Sequence, residues 1–291
     1  MVNGRPTRPL LADGIARIVE PMLLARNGSH VVHYRTWGDP SAPPLLLIMG
    51  LGLSCTAWDR LPYRLAAAMR VLAFDQCGTG LSGPVTGACS MRQFAGDAVA
   101  VLNAEGIPAS CVFGISMGGM VAQELALRFP ERVKALALGA TFASFRRSEK
   151  PSLDALVDLL LLNCGNRLAT AKRVGRLLVS PPFDERAFHW LRADAGQTSS
   201  VWPALAQLAA VVRHGPAARL RALRVPTLVV SGDADRIVPV ENSYRLARLI
   251  PGARLHILRG AGHAFPLERE EETTAVLLEH FGAVAAPTAC G

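Results

Sequence analysis

At 291 residues, half of them hydrophobic and 6% aromatic, the chain is long enough to bury a sizeable core and too apolar to be disordered. Its formal net charge of +8 rests on scattered arginines, with only two adjacent basic pairs, Arg146-Arg147 and Lys172-Arg173. That scatter excludes the basic run or stripe that nucleic-acid binding requires. The six cysteines show no C-x-x-C pair and no His/Cys cluster at metal spacing, which points to free thiols in a reducing cytoplasm.

Residues 1–17, with Pro6 and Pro9, read as a loose arm, and residues 1–20 hold no apolar stretch of the kind a secretory leader needs. Residues 18–26 and 31–37 flank Asn27-Gly28, a hairpin signal. Short apolar runs then alternate with helical patterns. The runs are Leu45-Leu46-Leu47-Ile48, Val71-Leu72-Ala73-Phe74, Cys111-Val112-Phe113, Ala135-Leu136-Ala137-Leu138, Thr227-Leu228-Val229-Val230 and Leu255-His256-Ile257-Leu258. Strands without polar alternation are covered on both faces, as in a parallel sheet between helices. Helices are expected over 58–69, 91–105, 117–129, 241–249 and 268–281. The second opens on Ser90 and Gln93 as a capping box and closes at Gly106. The fold class is α/β: a mostly parallel, doubly wound sheet with a leading antiparallel hairpin. The longest apolar run, 45–53, is too short and too broken by glycine to span a bilayer.

The alternation lapses between about Ser144 and Arg224. This arginine-rich, helical stretch places Leu153, Leu156, Val157 and Leu160 on one face, then Phe188, Trp190, Trp202, Leu205 and Leu208. It is too long for a plain connection, and an insertion there packs over the carboxyl ends of the strands, where ligands bind in open α/β sheets. The expected organisation is a discontinuous core over 18–143 and 225–282, a helical cap over 144–224, and flexible tails at 1–17 and 283–291. Phe183, Phe188, Trp190 and Trp202 are the expected roof of the pocket.

Gly114-Ile115-Ser116-Met117-Gly118 lies where a buried strand gives way to a helix carrying Met117, Val121, Leu125 and Phe129. A serine at such a turn takes a strained backbone conformation, and its neighbours two before and two after must be small. That pattern marks a nucleophile, and a hydroxyl nucleophile needs a base and a third group to orient the base. His263, in Gly260-Ala261-Gly262-His263 after a core strand, is the expected base. The other histidines lie within the hairpin, the cap, a strand or the last helix. Asp235 is the favoured acid, in Gly232-Asp233-Ala234-Asp235 after the preceding strand, with Asp233 as the alternative. The chain order Ser, Asp, His fits this architecture. Backbone N–H groups of Leu51, in the loop Met49-Gly50-Leu51-Gly52, and of Met117 are the expected oxyanion donors.

These pieces resemble a capped serine hydrolase of the α/β-hydrolase fold. The likeness rests on Gly50-Leu51-Gly52 with Trp58, on Asp75-Gln76-Cys77-Gly78-Thr79-Gly80-Leu81-Ser82, on Gly114 to Gly119, on Asp235 to Pro239 and on Gly262-His263. The pattern is most similar to the carboxylesterase, enol-lactonase and cofactor-free haloperoxidase-like group, which implies small ester, lactone or related acyl substrates, no metal and no cofactor. Two positions depart from that pattern: Met49 replaces the usual histidine before the oxyanion glycine, and Cys77 replaces an arginine. Methionine cannot make the hydrogen bonds that brace that loop, so the hole is expected to be either braced otherwise or shaped for different substrates. The same triad could serve a thioesterase, a carbon–carbon bond hydrolase or an acyltransferase, and a binding protein that keeps the fold is a rival of another class. The third glycine of a dinucleotide fingerprint is missing after Gly50 and Gly52. Neither the substrate nor the oligomeric state is legible.

Overall fold

The computed structural model describes residues 22–85, 89–155, 157, 175, 177–180 and 202–285. Its strands are β1 (Leu23–Asn27), β2 (His30–Trp37), β3 (Pro44–Ile48), β4 (Arg70–Phe74), β5 (Ser110–Ile115), β6 (Val133–Gly139), β7 (Thr227–Gly232) and β8 (Arg254–Leu258). They form one sheet in the order β1-β2-β4-β3-β5-β6-β7-β8. The β1–β2 and β2–β4 pairings are antiparallel, and all those from β4 onward across the sheet are parallel. The hairpin turns one residue later than expected: Asn27 pairs with His30, and Gly28, at φ +59, opens the turn. The Asn27 amide instead donates to Asp97 Oδ1 at 2.8 Å.

The apolar runs of β3 to β7 are buried because each of those strands feeds two cores; the run on β8 is not, since that strand is the sheet edge, where Leu255 is exposed and only Leu258 is buried. Leu46 and Ile48 of β3, with Leu136 and Leu138 of β6, pack on one face of the sheet, whereas Leu45, Leu47, Ala135 and Ala137 pack on the other. Helices α2 (Met91–Ala104), α3 (Met117–Arg128) and α6 (Glu241–Leu249) contribute to the first core. Helices α1 (Leu61–Leu65), α7 (Phe265–Glu268) and α8 (Glu270–Ala285) cover the second. Each leucine so buried contributes roughly 1.5–3 kcal/mol, so the sheet is the rigid part on which the loops are mounted.

Two helices differ from expectation. The helix expected over 58–69 is split, because Asp59 adopts φ +50 and separates a 3₁₀ turn at Cys55–Trp58 from α1. The C-terminal helix begins earlier, is broken by non-helical Arg269 and runs on to Ala285. Ser90 caps α2 by accepting the Gln93 N–H, but the Gln93 side chain goes to His30 instead of closing a capping box.

Between β6 and β7 the described residues include a 3₁₀ turn at Phe145–Arg147 and two helices, α4 (Trp202–Arg213) and α5 (Ala217–Leu220). The buried stripe of α4 is Ala204, Gln207, Ala210 and Val211. It is not the expected stripe: Trp202 is 74% exposed and Leu205 is exposed too, because Gln207 and Pro203 turn that side of the helix onto the core. Leu153 and Val157 are likewise exposed. Leu156, Leu160, Phe183, Phe188 and Trp190 lie outside the described residues.

Candidate active site

β5 ends at Ile115 and α3 begins at Met117, so Ser116 alone makes the turn, at φ +56 and ψ −122. A non-glycine residue held there costs on the order of 1–3 kcal/mol, and the surroundings must over-determine it. They do. The Ser116 N–H donates to the Gly139 carbonyl at 2.8 Å, and the Thr141 hydroxyl donates to the Ser116 carbonyl at 2.7 Å. The small neighbours are obligatory for the same reason. A Cβ on Gly114 would stand 2.3 Å from the Gly118 carbonyl oxygen, and one on Gly118 would stand 2.0 Å from that of Ile48.

Asp235 follows β7 and His263 follows β8, on the same rim of the sheet as Ser116. His263 Nδ1 lies 2.8 Å from Asp235 Oδ2, and both side chains are buried. Asp235 Oδ1 accepts the N–H groups of Ile237 at 2.8 Å and Val238 at 2.9 Å, which fixes the carboxylate plane. With the carboxylate accepting Nδ1–H, Nε2 is left with its lone pair, the tautomer a general base requires. The hydrogen bonds of the described residues include none from the Ser116 hydroxyl to this imidazole. Asp233 is placed differently: its Oδ1 accepts the Gly260 N–H at 2.6 Å and ties the two loops together. The histidine loop is held from below as well. The Gly262 N–H donates to Glu268 Oε1, and the Ser180 N–H to Glu268 Oε2. Burial pushes the Glu268 carboxyl up, against the opposing pull of those two donors.

The loop after β3 lies against the serine, since a Cβ on Gly50 would come within 3.3 Å of Ser116 Cβ. Met49, buried, offers the loop no side-chain hydrogen bond of the histidine kind. Two glutamines do so instead. Gln76 Nε2 donates to the Met49 carbonyl at 2.7 Å. From α4, Gln207 Oε1 accepts the Gly52 N–H at 2.8 Å while Nε2 donates to the Cys77 carbonyl at 3.2 Å. Both glutamines are buried. Sequence reading assigns neither glutamine a role, although methionine at position 49 is a signal that the loop is either braced otherwise or shaped differently. Leu51 is half-buried in this loop, and Met117 is buried at the start of α3. The Cys77 thiol donates to the Gly83 and Pro84 carbonyls, a packing role.

His33, Cys55 and Asp75 bring one potential ligand atom each within 4.8 Å of one another. Their geometry is that of a hydrogen-bonded brace. Asp75 Oδ2 accepts hydrogen bonds from His33 Nδ1–H at 2.8 Å and from the Leu81 N–H at 2.9 Å, and Oδ1 accepts the Cys55 N–H at 2.7 Å. Burial alone would raise the Asp75 carboxyl, and these donors outweigh it, so its pKa lies below the usual value. A cation bound through His33 Nδ1 would have to displace the proton that Nδ1 shares with Asp75.

Residues 43–270 match the family described as the alpha/beta hydrolase fold. The chain is 32% identical over 237 residues to the 2-hydroxymuconate semialdehyde hydrolase of Pseudomonas putida, covering 77% of this chain and 80% of that protein. It is 30% identical over 274 residues to the rhodomycin D methylesterase of Streptomyces sp. (strain C5), covering 84% and 92%. In three dimensions it superposes on the enol-lactonase from Burkholderia xenovorans LB400 with a TM-score of 0.77 at 24% identity, over 89% of this chain and 100% of that one. Among the described residues no helix is long and apolar enough to cross a membrane.

Proposed function

The chain belongs to the α/β-hydrolase family, and from that premise we propose that it is a serine hydrolase of small carboxylic esters or lactones. The observation that carries this reading is a carboxylate-held imidazole, His263 on Asp235, on the rim where Ser116 stands alone at the strand-to-helix turn. Ser116 Oγ attacks the acyl carbon while His263 Nε2 takes its proton. Asp235 keeps the tautomer and stabilises the imidazolium. The N–H groups of Leu51 and Met117 receive the oxyanion, the latter aided by the N-terminus of α3. His263 then returns the proton to the leaving oxygen. Water, activated by the same imidazole, releases the acid and restores the serine.

The segment 144–224 is the cap of this reading, and its α4 already rests on the loops after β3 and β4. The methylesterase relative supports an ester as the bond cleaved. The test is fluorophosphonate labelling together with a panel of p-nitrophenyl esters of graded length, lactones and acyl thioesters. Wild type is labelled on Ser116, and Ser116→Ala loses labelling and at least about 10³-fold in kcat. A Ser116→Ala protein that hydrolyses the esters at the wild-type rate ends this reading. Turnover of thioesters alone moves the activity to that class.

A further inference from the structure

We infer that Gln207 is a positioning residue for the oxyanion hole, through which the inserted segment sets the loop that carries Leu51. This rests on the serine-hydrolase reading above. The Leu51 N–H belongs to the peptide joining residues 50 and 51. The peptide on one side of it is pinned by Gln76, which donates to the Met49 carbonyl. The peptide on the other side is pinned by Gln207, which accepts the Gly52 N–H. With both neighbouring planes held, the plane that bears the donor has its direction set before substrate arrives, which is what oxyanion stabilisation requires.

Gln207 acts from a distant part of the chain. It lies on α4, 155 residues further along the chain than Gly52, and its other amide atom is tied to the Cys77 carbonyl, so it cannot swing freely. Pro203, one turn earlier, sits on the same loop: a Cβ on Gly78 would meet Pro203 Cβ at 2.6 Å. A buried amide that satisfies one donor and one acceptor on two loops leaves both unpaired when removed. The loops then relax, and Leu51 N–H loses its aim while the pocket for the acyl group remains.

The experiment compares wild type, Gln207→Ala, Gln207→Met and Ser116→Ala. The readouts are steady-state ester hydrolysis, inhibition by an aryl trifluoromethyl ketone, and thermal unfolding. The ketone adds to the serine hydroxyl and places its oxyanion in the hole. Complete loss of one such donor costs about 10²–10³-fold, so misdirection of Leu51 by Gln207→Ala lowers kcat by about 10–100-fold. KM changes by less than about threefold, and ketone affinity weakens in step with kcat/KM. Where Gln207→Ala does not fold, Gln207→Met fills the same volume without hydrogen bonds and gives the same split. A folded variant with kcat and ketone affinity within twofold of wild type overturns the assignment, as does a loss confined to KM. In that case inactive Ser116→Ala leaves the hydrolase reading standing. Active Ser116→Ala removes both.

Discussion

His263 Nδ1 and Asp235 Oδ2 stand 2.8 Å apart, and the second oxygen of the same carboxylate is occupied by two backbone N–H groups. The carboxylate cannot turn away from the imidazole without losing both. Asp235→Asn keeps the volume but offers an N–H where an acceptor is needed, and so favours the wrong tautomer. We expect kcat/KM for a p-nitrophenyl ester to fall by about 10³–10⁴-fold. Asp233→Ala removes the loop tie to the Gly260 N–H. It should cost less than about tenfold in rate and about 1 kcal/mol in stability. A larger rate loss at 233 than at 235 would reverse the assignment of the acid.

Why these parts could be read from sequence, and others not, follows from the kind of signal each leaves. The core strands announce themselves because both faces of each are covered, so Leu45 to Ile48 has no polar member to hide it. Ser116 and His263 stand in glycine-rich loops after such strands, and the loop position itself is the signal. Asp59 left no such trace: a left-handed aspartate looks like any other polar residue on a helix, and the expected helix was broken there. Gln76 and Gln207 were invisible for a related reason. A buried amide and a solvated one have the same letter, and only the three-dimensional meeting of α4 with the loop after β3 tells them apart.

The glycines of this fold are of two kinds, and stability measurements should separate them. A methyl on Gly118 would stand 2.0 Å from the Ile48 carbonyl oxygen, a clash with backbone that rotamer changes cannot relieve. Gly118→Ala is expected to lose several kcal/mol or fail to fold, at the strained end of overpacking. Gly106 has φ +65 with nothing within 4 Å of an added Cβ. Gly106→Ala should cost only about 1–2 kcal/mol, from the left-handed backbone alone. Equal losses in urea titrations would contradict this.

His214 makes the fold sensitive to mild acid. Burial holds its pKa down at about 4, against an ordinary 6.5, with Arg219 adding to the effect and Glu124 opposing it. Its Nε2 is engaged with Gln123 Oε1 at 3.1 Å. Because the folded value lies below the unfolded one, the unfolded chain binds the extra proton between those two pH values. Stability is complete above about 6.5 and is lost as pH falls toward 4. From about pH 7.5 to about pH 5 the loss from this residue is on the order of 2 kcal/mol. Gln in place of His214 should flatten that part of the profile, and an unchanged slope in His214→Gln would assign the sensitivity elsewhere.

The Asp75 brace is expected to respond to substitution and not to chelation. Asp75→Asn cannot accept from His33, Leu81 and Cys55 together, and the stranded donors should cost about 2–4 kcal/mol. Dialysis against EDTA should leave the thermal midpoint where it was. A midpoint that falls on chelation and recovers with added zinc would show that the three side chains hold a metal.

β6 pairs with β7 in register, Leu136 beside Thr227, although the whole segment between Gly139 and Thr227 separates the two strands in the chain. The entropy of closing so long an excursion grows only logarithmically, by about 0.6 kcal/mol for each doubling. Chain entropy therefore sets little limit on its length; what a deletion would remove is packing, since Ala210, Val211, Leu220 and Leu223 of this segment belong to the core beside the sheet. A shortened or lengthened segment would have to keep those side chains and, on the proposal made for Gln207, its amide at the loop after β3.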